Sequence, residues 1–170
     1  MRGDILSLER GSQKQFMEIR PAELSDLESA SQLWFDRINL LQQMDWHVQL
    51  APNAIEEWRS MAGRWLSDEQ VRFLVAVKDD TLIGMVAVEI APGEPGLHPQ
   101  RKGRLLEMAV DLHSTHGRLS EQLLDQAKRW LSANEVTQLE VDVPARYPVE
   151  AAFWRAQGAK LRFERRWLRI

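Results

Sequence analysis

The sequence predicts an α/β domain, with a mixed, mostly antiparallel sheet flanked by helices in the order β-α-α-β-β-β-α-β-α-β. Three observations lead there. Two stretches in the first half carry apolar residues at helical spacing, the middle changes to β-branched apolar runs joined by a tight turn, and the last part alternates between the two patterns. Helices interleaved with hairpin-joined strands give an α/β sandwich rather than a doubly wound Rossmann sheet.

"MEIRP" at 17–21 is a short strand closed by a proline. Ser25-Asp26 then supplies a helix N-cap and an acidic first turn. Leu27, Ala30, Leu33, Trp34, Ile38 and Leu41 recur at steps of three and four, so 26–43 reads as an amphipathic helix. After the loop "MDWHVQLAP", a second helix runs from Asn53 with Ile55, Trp58, Met61, Trp65 and Leu66 on one face. "RFLVAVKDDTLIGMVAVEI" is a pair of strands turning at Asp79-Asp80. Three prolines and three glycines mark "APGEPGLHPQRKG" as a loop, and "RLLEMAVDL" at 104–112 is the next strand. A third helix starts near Arg118, with Leu119, Leu123, Ala127 and Trp130 on one face. "QLEVDV" at 138–143 is a strand, and "VEAAFWRAQ" is a helix stopped by Gly158. "KLRFERRWLRI" at 160–170 alternates apolar and basic residues and reads as a final strand. Trp34, Trp58, Trp65 and Trp130 lie at helical core spacing and are expected to pack.

Composition narrows the class. A net charge of −3 argues against a dedicated nucleic-acid binder, so Lys160, Arg162, Arg165, Arg166 and Arg169 read as a solvated face or a dimer edge. With no cysteine there is no disulfide, thiolate metal site or cysteine nucleophile, which fits a cytoplasmic protein. No run of 18 apolar residues predicts a membrane span. Residues 1–16 have scattered charges and no long apolar block, so they read as a mobile extension, not a secretory signal, before a single domain at 17–170.

One loop carries the functional question. "VDLHSTHGRLSEQLL", 110–124, is a strand, a polar turn and a helix start, which is how many folds hold a phosphate. "PVEAAFWRAQGAKLRFERRWLRI" resembles the late helix and closing strand of the GNAT acetyltransferase superfamily, where N-x-x-A-x-x-F-Y-x-x-x-G-F is common. Ala151 precedes the aromatic pair Phe153-Trp154, and Gly158-Ala159 stands at the G-F position. "IRPAELSDLESASQLW" is similar to the family's opening strand and first helix, and the resemblance spans residues 17–170.

The resemblance implies acyl transfer from acetyl-coenzyme A to an amine. It implies a pantetheine arm along Met108, Ala109 and Val110, and a pyrophosphate on a loop of the form R/Q-x-x-G-x-G/A. Without a gap, Thr115, Arg118 and Ser120 take the Arg/Gln, first-glycine and Gly/Ala positions, with Leu123 and Leu124 on the following leucines. With a one-residue deletion, His116, Gly117 and Arg118 supply the turn instead. Both registers include residues 115–120, Leu119 among them, and the resemblance adds Trp154 of the aromatic pair to the cofactor-binding residues. Arg118 adds bulk where glycine is usual and a cation where the helix dipole disfavours one, yet a bound anion reverses that preference.

The chemistry needs a base to free the amine and a donor for the thioester oxygen. The resemblance assigns the donor to a backbone N–H of the 104–112 strand. Two acids compete as base. Asp142 lies in the "LEVDVP" strand at a distance before the aromatic pair where some family members place theirs, or is a solvated strand-face carboxylate. Glu107 sits inside the apolar run "LLEMAV", which calls for a partner or an exposed face, and alternation turns it away from Val110. Trp154 replaces the family's tyrosine. Tyr147, the only tyrosine, is the remaining candidate acid or a structural ring. Trp46 and His47 lie where the family lines its acceptor pocket. His113 and His116 lack a third ligand, so no metal is expected. The alternative function is a GNAT-like module that binds coenzyme A or a partner without turnover. The resemblance also allows a homodimer.

Overall fold

The computed structural model describes residues 17–113, 118–168 and 170, so the extension 1–16, Arg169 and the loop candidates Thr115, His116 and Gly117 lie outside the described residues. The chain forms β1 (Met17–Pro21), a 3₁₀ turn (Leu24–Asp26), α1 (Leu27–Met44) and α2 (Ala54–Trp65). It continues through β2 (Val71–Lys78), β3 (Thr81–Pro92), β4 (Arg101–Val110), α3 (Leu119–Ala133), β5 (Leu139–Glu140) and α4 (Pro148–Ala156). The five strands lie side by side in chain order. The first four are antiparallel, and β5 is parallel to β4, which the α3 crossover makes possible.

The apolar runs of β2 and β3 are continuous because both sheet faces are covered. Leu74, Ala76, Val86 and Val88 pack on Leu119, Leu123, Ala127 and Leu131 of α3. Their neighbours Phe73, Val75, Met85 and Ala87 point the other way, onto Leu27 and Ala30 of α1 and Trp58 and Ala62 of α2. Trp34 stacks on Trp58 with ring centroids 5.7 Å apart, and Trp65 meets Phe73 edge-on at 5.6 Å. The tryptophans expected to pack do so, with Trp130 on the α3 side. Asp79 and Asp80, at φ 47° and 61°, form the left-handed pair that a two-residue hairpin needs. At Gly103 an added Cβ would lie 2.8 Å from a Leu131 methyl, so this glycine lets α3 settle close to β4.

Two features shape the ends of β4 and β5. The register with β3 slips so that Ala87 faces Glu107 while Val88 faces Leu105, leaving Leu106 as an extra residue. Such a bulge bends the strand. Beyond the bend β5 no longer follows: it pairs only with Gly103 and Arg104. The strand expected over 138–143 is therefore two residues long, and Asp142 lies outside it.

The expected final strand is not formed, since residues 160–168 and 170 carry no strand. A two-residue β5 offers almost no ladder to extend. Leu161, Phe163, Trp167 and Leu168 stay exposed, Trp167 by 91%.

Candidate active site

Where β5 stops, no strand among the described residues pairs with the side of β4 away from β3 from Leu105 to Val110, which leaves that edge open. Asp111 donates its N–H to the Ile83 carbonyl at 2.9 Å. Antiparallel alternation then turns the N–H groups of Met108 and Val110 away from β3, toward that edge. From Glu107 onward the side chains alternate, and the bulge turns Leu106 to the same face as Glu107 and Ala109. Met108 and Val110 pack on the α3 side, and Leu106 and Ala109 on the side of α1 and α2. Glu107 shares the face of Ala109, opposite Val110, and meets α1 there.

Glu107 is buried, and its Oε1 accepts the Met108 N–H at 3.1 Å. Arg37 of α1 brings Nη1 to 3.4 Å from the same oxygen. Its Nη2 donates to both carboxylate oxygens of Glu150 on α4, at 3.0 and 2.9 Å. Burial pushes the Glu107 carboxyl up to about 7. Arg37 and the Met108 N–H pull it down against that, and Glu150 adds to the rise. A carboxyl balanced near neutrality takes and returns protons readily. Sequence reasoning missed Arg37 and Glu150. They lie 113 residues apart, and no local pattern joins them.

The second part of the site lies at the start of α3. A pocket of about 200 Å³ is lined by Val110, Asp111, Arg118, Leu119, Ser120, Glu121 and Phe153. Arg118 precedes the helix in the left-handed conformation, φ 75°, which glycine adopts most easily. This is the position that the ungapped register gives to the family's first glycine. No side chain caps the helix among the described residues. The Arg118 side chain stands in water and binds Glu121 at 2.6 Å, which raises its already high pKa. Leu119 is buried in the core, so only its main chain is available to the pocket. Asp111 accepts the N–H of His113 at 2.9 Å and closes the strand in a tight turn.

The other candidates scatter. Asp142 is exposed and pairs with Arg165 at 3.0 Å, away from any strand. Tyr147 is the half-buried N-cap residue of α4, and its carbonyl accepts the Ala151 N–H at 3.2 Å. Trp154 turns into the interior with its indole N–H buried and without a hydrogen-bond partner among the described residues, while its neighbour Phe153 lines the pocket. Trp46 and His47 lie against each other beyond the end of α1, with ring centroids 3.6 Å apart and planes tilted by 30°. His47 Nδ1 lies 3.0 Å from Asp45 Oδ1, and that hydrogen bond, with one from the His47 backbone, holds the Asp45 carboxyl below its usual range. Among the described residues no group of three His, Asp or Glu could hold a metal ion, and no helix is long and apolar enough to cross a membrane.

Solved structures share this architecture. The chain superposes on the aminoglycoside 6'-N-acetyltransferase AAC(6')-IG of Acinetobacter haemolyticus with a TM-score of 0.71 at 17% identity, covering 90% of this chain and 97% of that one. A tetramutant of the BH1408 protein of Bacillus halodurans gives 0.77 at 14% identity, covering 90% and 99%. A predicted acetyltransferase of Clostridium acetobutylicum, solved with acetyl-CoA, gives 0.68 at 16% identity, covering 91% and 96%. At such identities the likeness concerns the fold. Among curated protein sequences nothing matches significantly. In sequence, the acetyltransferase (GNAT) family model matches residues 33–159, most of the chain and all of the open-edged strand, the α3 start and the Arg37–Glu107–Glu150 cluster. By that match the chain belongs to the GNAT acetyltransferase family.

Proposed function

We propose that this protein transfers an acetyl group from acetyl-coenzyme A to an amine, with Glu107 as the general base. One observation carries the reading: a buried carboxyl, with a pKa pushed up to about 7, sits on the open edge of β4 beside main-chain N–H groups. An alkylammonium acceptor has a pKa of about 10 and cannot attack until it loses a proton. Glu107, when ionised, takes that proton and leaves the nitrogen lone pair free. The outward N–H groups of Met108 and Val110 are donors of the kind that stabilises the charge developing on the thioester oxygen. The Met108 N–H is shared with Glu107, so protonation of Glu107 weakens its hold and frees the donor for the oxyanion.

The fit of coenzyme A rests on the strand edge and the α3 start. Pantetheine carries amides that can pair with an unpaired strand edge. The first N–H groups of α3 and the left-handed turn at Arg118 form the kind of concavity that holds a pyrophosphate. In this reading Met108, Ala109 and Val110 hold the arm, and Arg118 to Ser120, with the loop 115–117, hold the phosphates. Trp46 and His47 border the acceptor. Asp142 is a weaker candidate than Glu107, because it is exposed, outside any strand and paired with Arg165. With Trp154 in the tyrosine position, the departing thiolate takes its proton from Glu107, water or Tyr147. A chain without cysteine is in keeping with a cytoplasmic setting.

A second reading has a specific observation behind it. Glu121 already neutralises Arg118, and an acidic Asp111 lines the same pocket, which weakens an anion site. A protein that binds coenzyme A or a partner without turnover would tolerate this. Calorimetry with acetyl-coenzyme A, then thiol release over an amine panel, separates the two. Aminoglycosides and alanine-initiated peptides belong in that panel, since structural neighbours are an aminoglycoside N-acetyltransferase and a ribosomal-protein-alanine N-acetyltransferase from Brucella melitensis. Binding with release is expected. Binding without release across the panel would favour the second reading.

A further inference from the structure

Arg37 is asked to satisfy two carboxylates at once. It comes from α1, Glu107 from β4 and Glu150 from α4, and all three side chains are mostly withdrawn from water. One positive charge against two negative ones leaves the cluster a proton short of neutrality when both acids are ionised. The geometry decides which acid bears the deficit. Glu150 receives Nη2 within charge-assisted hydrogen-bond range of both its oxygens, at 3.0 and 2.9 Å. Glu107 is left with a single approach at 3.4 Å and the N–H of Met108.

We propose that Arg37 and Glu150 are positioning residues. By dividing one guanidinium between two carboxylates, they direct the exchangeable proton to Glu107 and aim its carboxylate at the open edge of β4. The proposal rests on the reading of Glu107 as the base and deepens it. When Glu107 takes a proton from the acceptor ammonium, the N–H bond breaks, an O–H bond forms and the cluster becomes neutral. The Arg37–Glu150 pair stays intact through that step. Protonation is therefore favoured without ever leaving Arg37 unpaired in a dry place.

The charged groups acting on Glu107 are Arg37 from α1 and Glu150 from α4, joined by the backbone N–H of Met108 on its own strand. The influences run in opposite directions. Arg37 lowers the Glu107 pKa and Glu150 raises it, while burial sets the high baseline. Glu150→Gln removes a like charge and releases Arg37 toward Glu107, so Glu107 should titrate lower by about one pH unit. Arg37→Gln removes the cation that acts on Glu107, so Glu107 should titrate higher by about one pH unit or more.

The full-length protein carrying ¹³C at the glutamate carboxyls reports this directly by NMR titration, without substrate, using Glu107→Gln to assign the signal. The acid limb of kcat/KM gives the second readout. Opposite displacements in the two variants, with Arg37→Lys lying near the wild type, are the expected result. If the Glu107 signal titrates unchanged in Glu150→Gln, the positioning role is wrong, whatever happens to activity. If the signal moves as expected but the acid limb stays in place, the relay stands and Glu107 is not the base. Should Arg37→Gln fail to fold, Glu150→Gln and Arg37→Lys still decide between these outcomes.

Discussion

Asp26 and Glu107 are each 9% exposed, but Glu107 lies deeper in the packed interior, and their carboxyls are driven in opposite directions. Burial alone would raise the Asp26 carboxyl as well. Arg20 overrides that with hydrogen bonds to both oxygens at 2.7 and 2.9 Å, the Glu23 N–H adds a third at 2.7 Å, and the carboxyl ends below its usual value. Glu107 has only part of a guanidinium and one N–H, and burial wins. The difference lies in depth and in the partner: Glu107 is deeper, and Asp26 has an arginine to itself. A buried acid with its own arginine holds the 3₁₀ turn to β1, whereas a buried acid that shares one is left able to exchange a proton at neutral pH.

The largest expected effect breaks the comparison on function. Glu107→Gln should lower kcat/KM at pH 8 by about 100-fold or more, the usual range for removing a general base. Asp26→Asn should leave the turnover of folded protein within a few-fold. Steady-state kinetics at saturating donor measure both. Equal losses in the two variants would mean that Glu107 acts through the fold and not on the substrate.

On stability, Asp26→Asn leaves Arg20 half-buried beside a neutral amide. It should cost roughly 2–4 kcal/mol at pH 7, a fall in Tm of about 5–12 °C for a chain of this size. The sign of its pH dependence follows from the lowered carboxyl. The contribution is present above the ordinary carboxylate pKa and is lost as pH falls through the folded value. The penalty of Asp26→Asn should therefore shrink toward pH 3 in thermal melts.

Glu107→Gln should do the reverse. A carboxyl raised from 4.5 to about 7 binds more protons folded than unfolded between those values. Folding then weakens as pH climbs through that window, and the cost is complete above pH 7. A neutral glutamine keeps an oxygen for the Met108 N–H and leaves Arg37 to Glu150. The variant should be more stable than the wild type at pH 8, by up to roughly 3 kcal/mol, and equal to it near pH 4.5. Melts that show destabilisation at pH 8 would contradict a strained, buried charge at this position.

Much of the fold was legible because it is written in local patterns. The helix expected over 26–43 is Leu27–Met44, the hairpin turns at Asp79-Asp80, and Gly158 follows α4 at φ 83°. The failures share one cause. The period-two pattern of 160–170 describes a segment that suits a strand, but a strand also needs a neighbour, and β5 is too short to be one. That shortness traces to the bulge at Leu106, which no residue type announces. The same limit governs the site. As letters in strands, Asp142 came before Glu107, and what reverses that order is burial of Glu107 beside Arg37 of α1 and Glu150 of α4. The apolar run around Glu107 did hint at a partner, but only the folded chain could name Arg37.

Arg118 extends the comparison to a charge that stays in water. Its side chain is 81% exposed and already paired with Glu121, so its field is screened and partly cancelled. If the α3 start holds the pyrophosphate, Arg118→Glu replaces an attraction with a repulsion and should weaken coenzyme A binding about three- to tenfold at low salt. The difference should fall below about twofold near 0.5 M salt, where the Debye length is only a few ångströms. Calorimetric titration at the two salt concentrations measures this, and the Glu107 variants should show no comparable salt dependence because their charge is out of the solvent's reach. Unchanged affinity at low salt would remove the arginine from the anion site and leave binding to the main-chain N–H groups of α3.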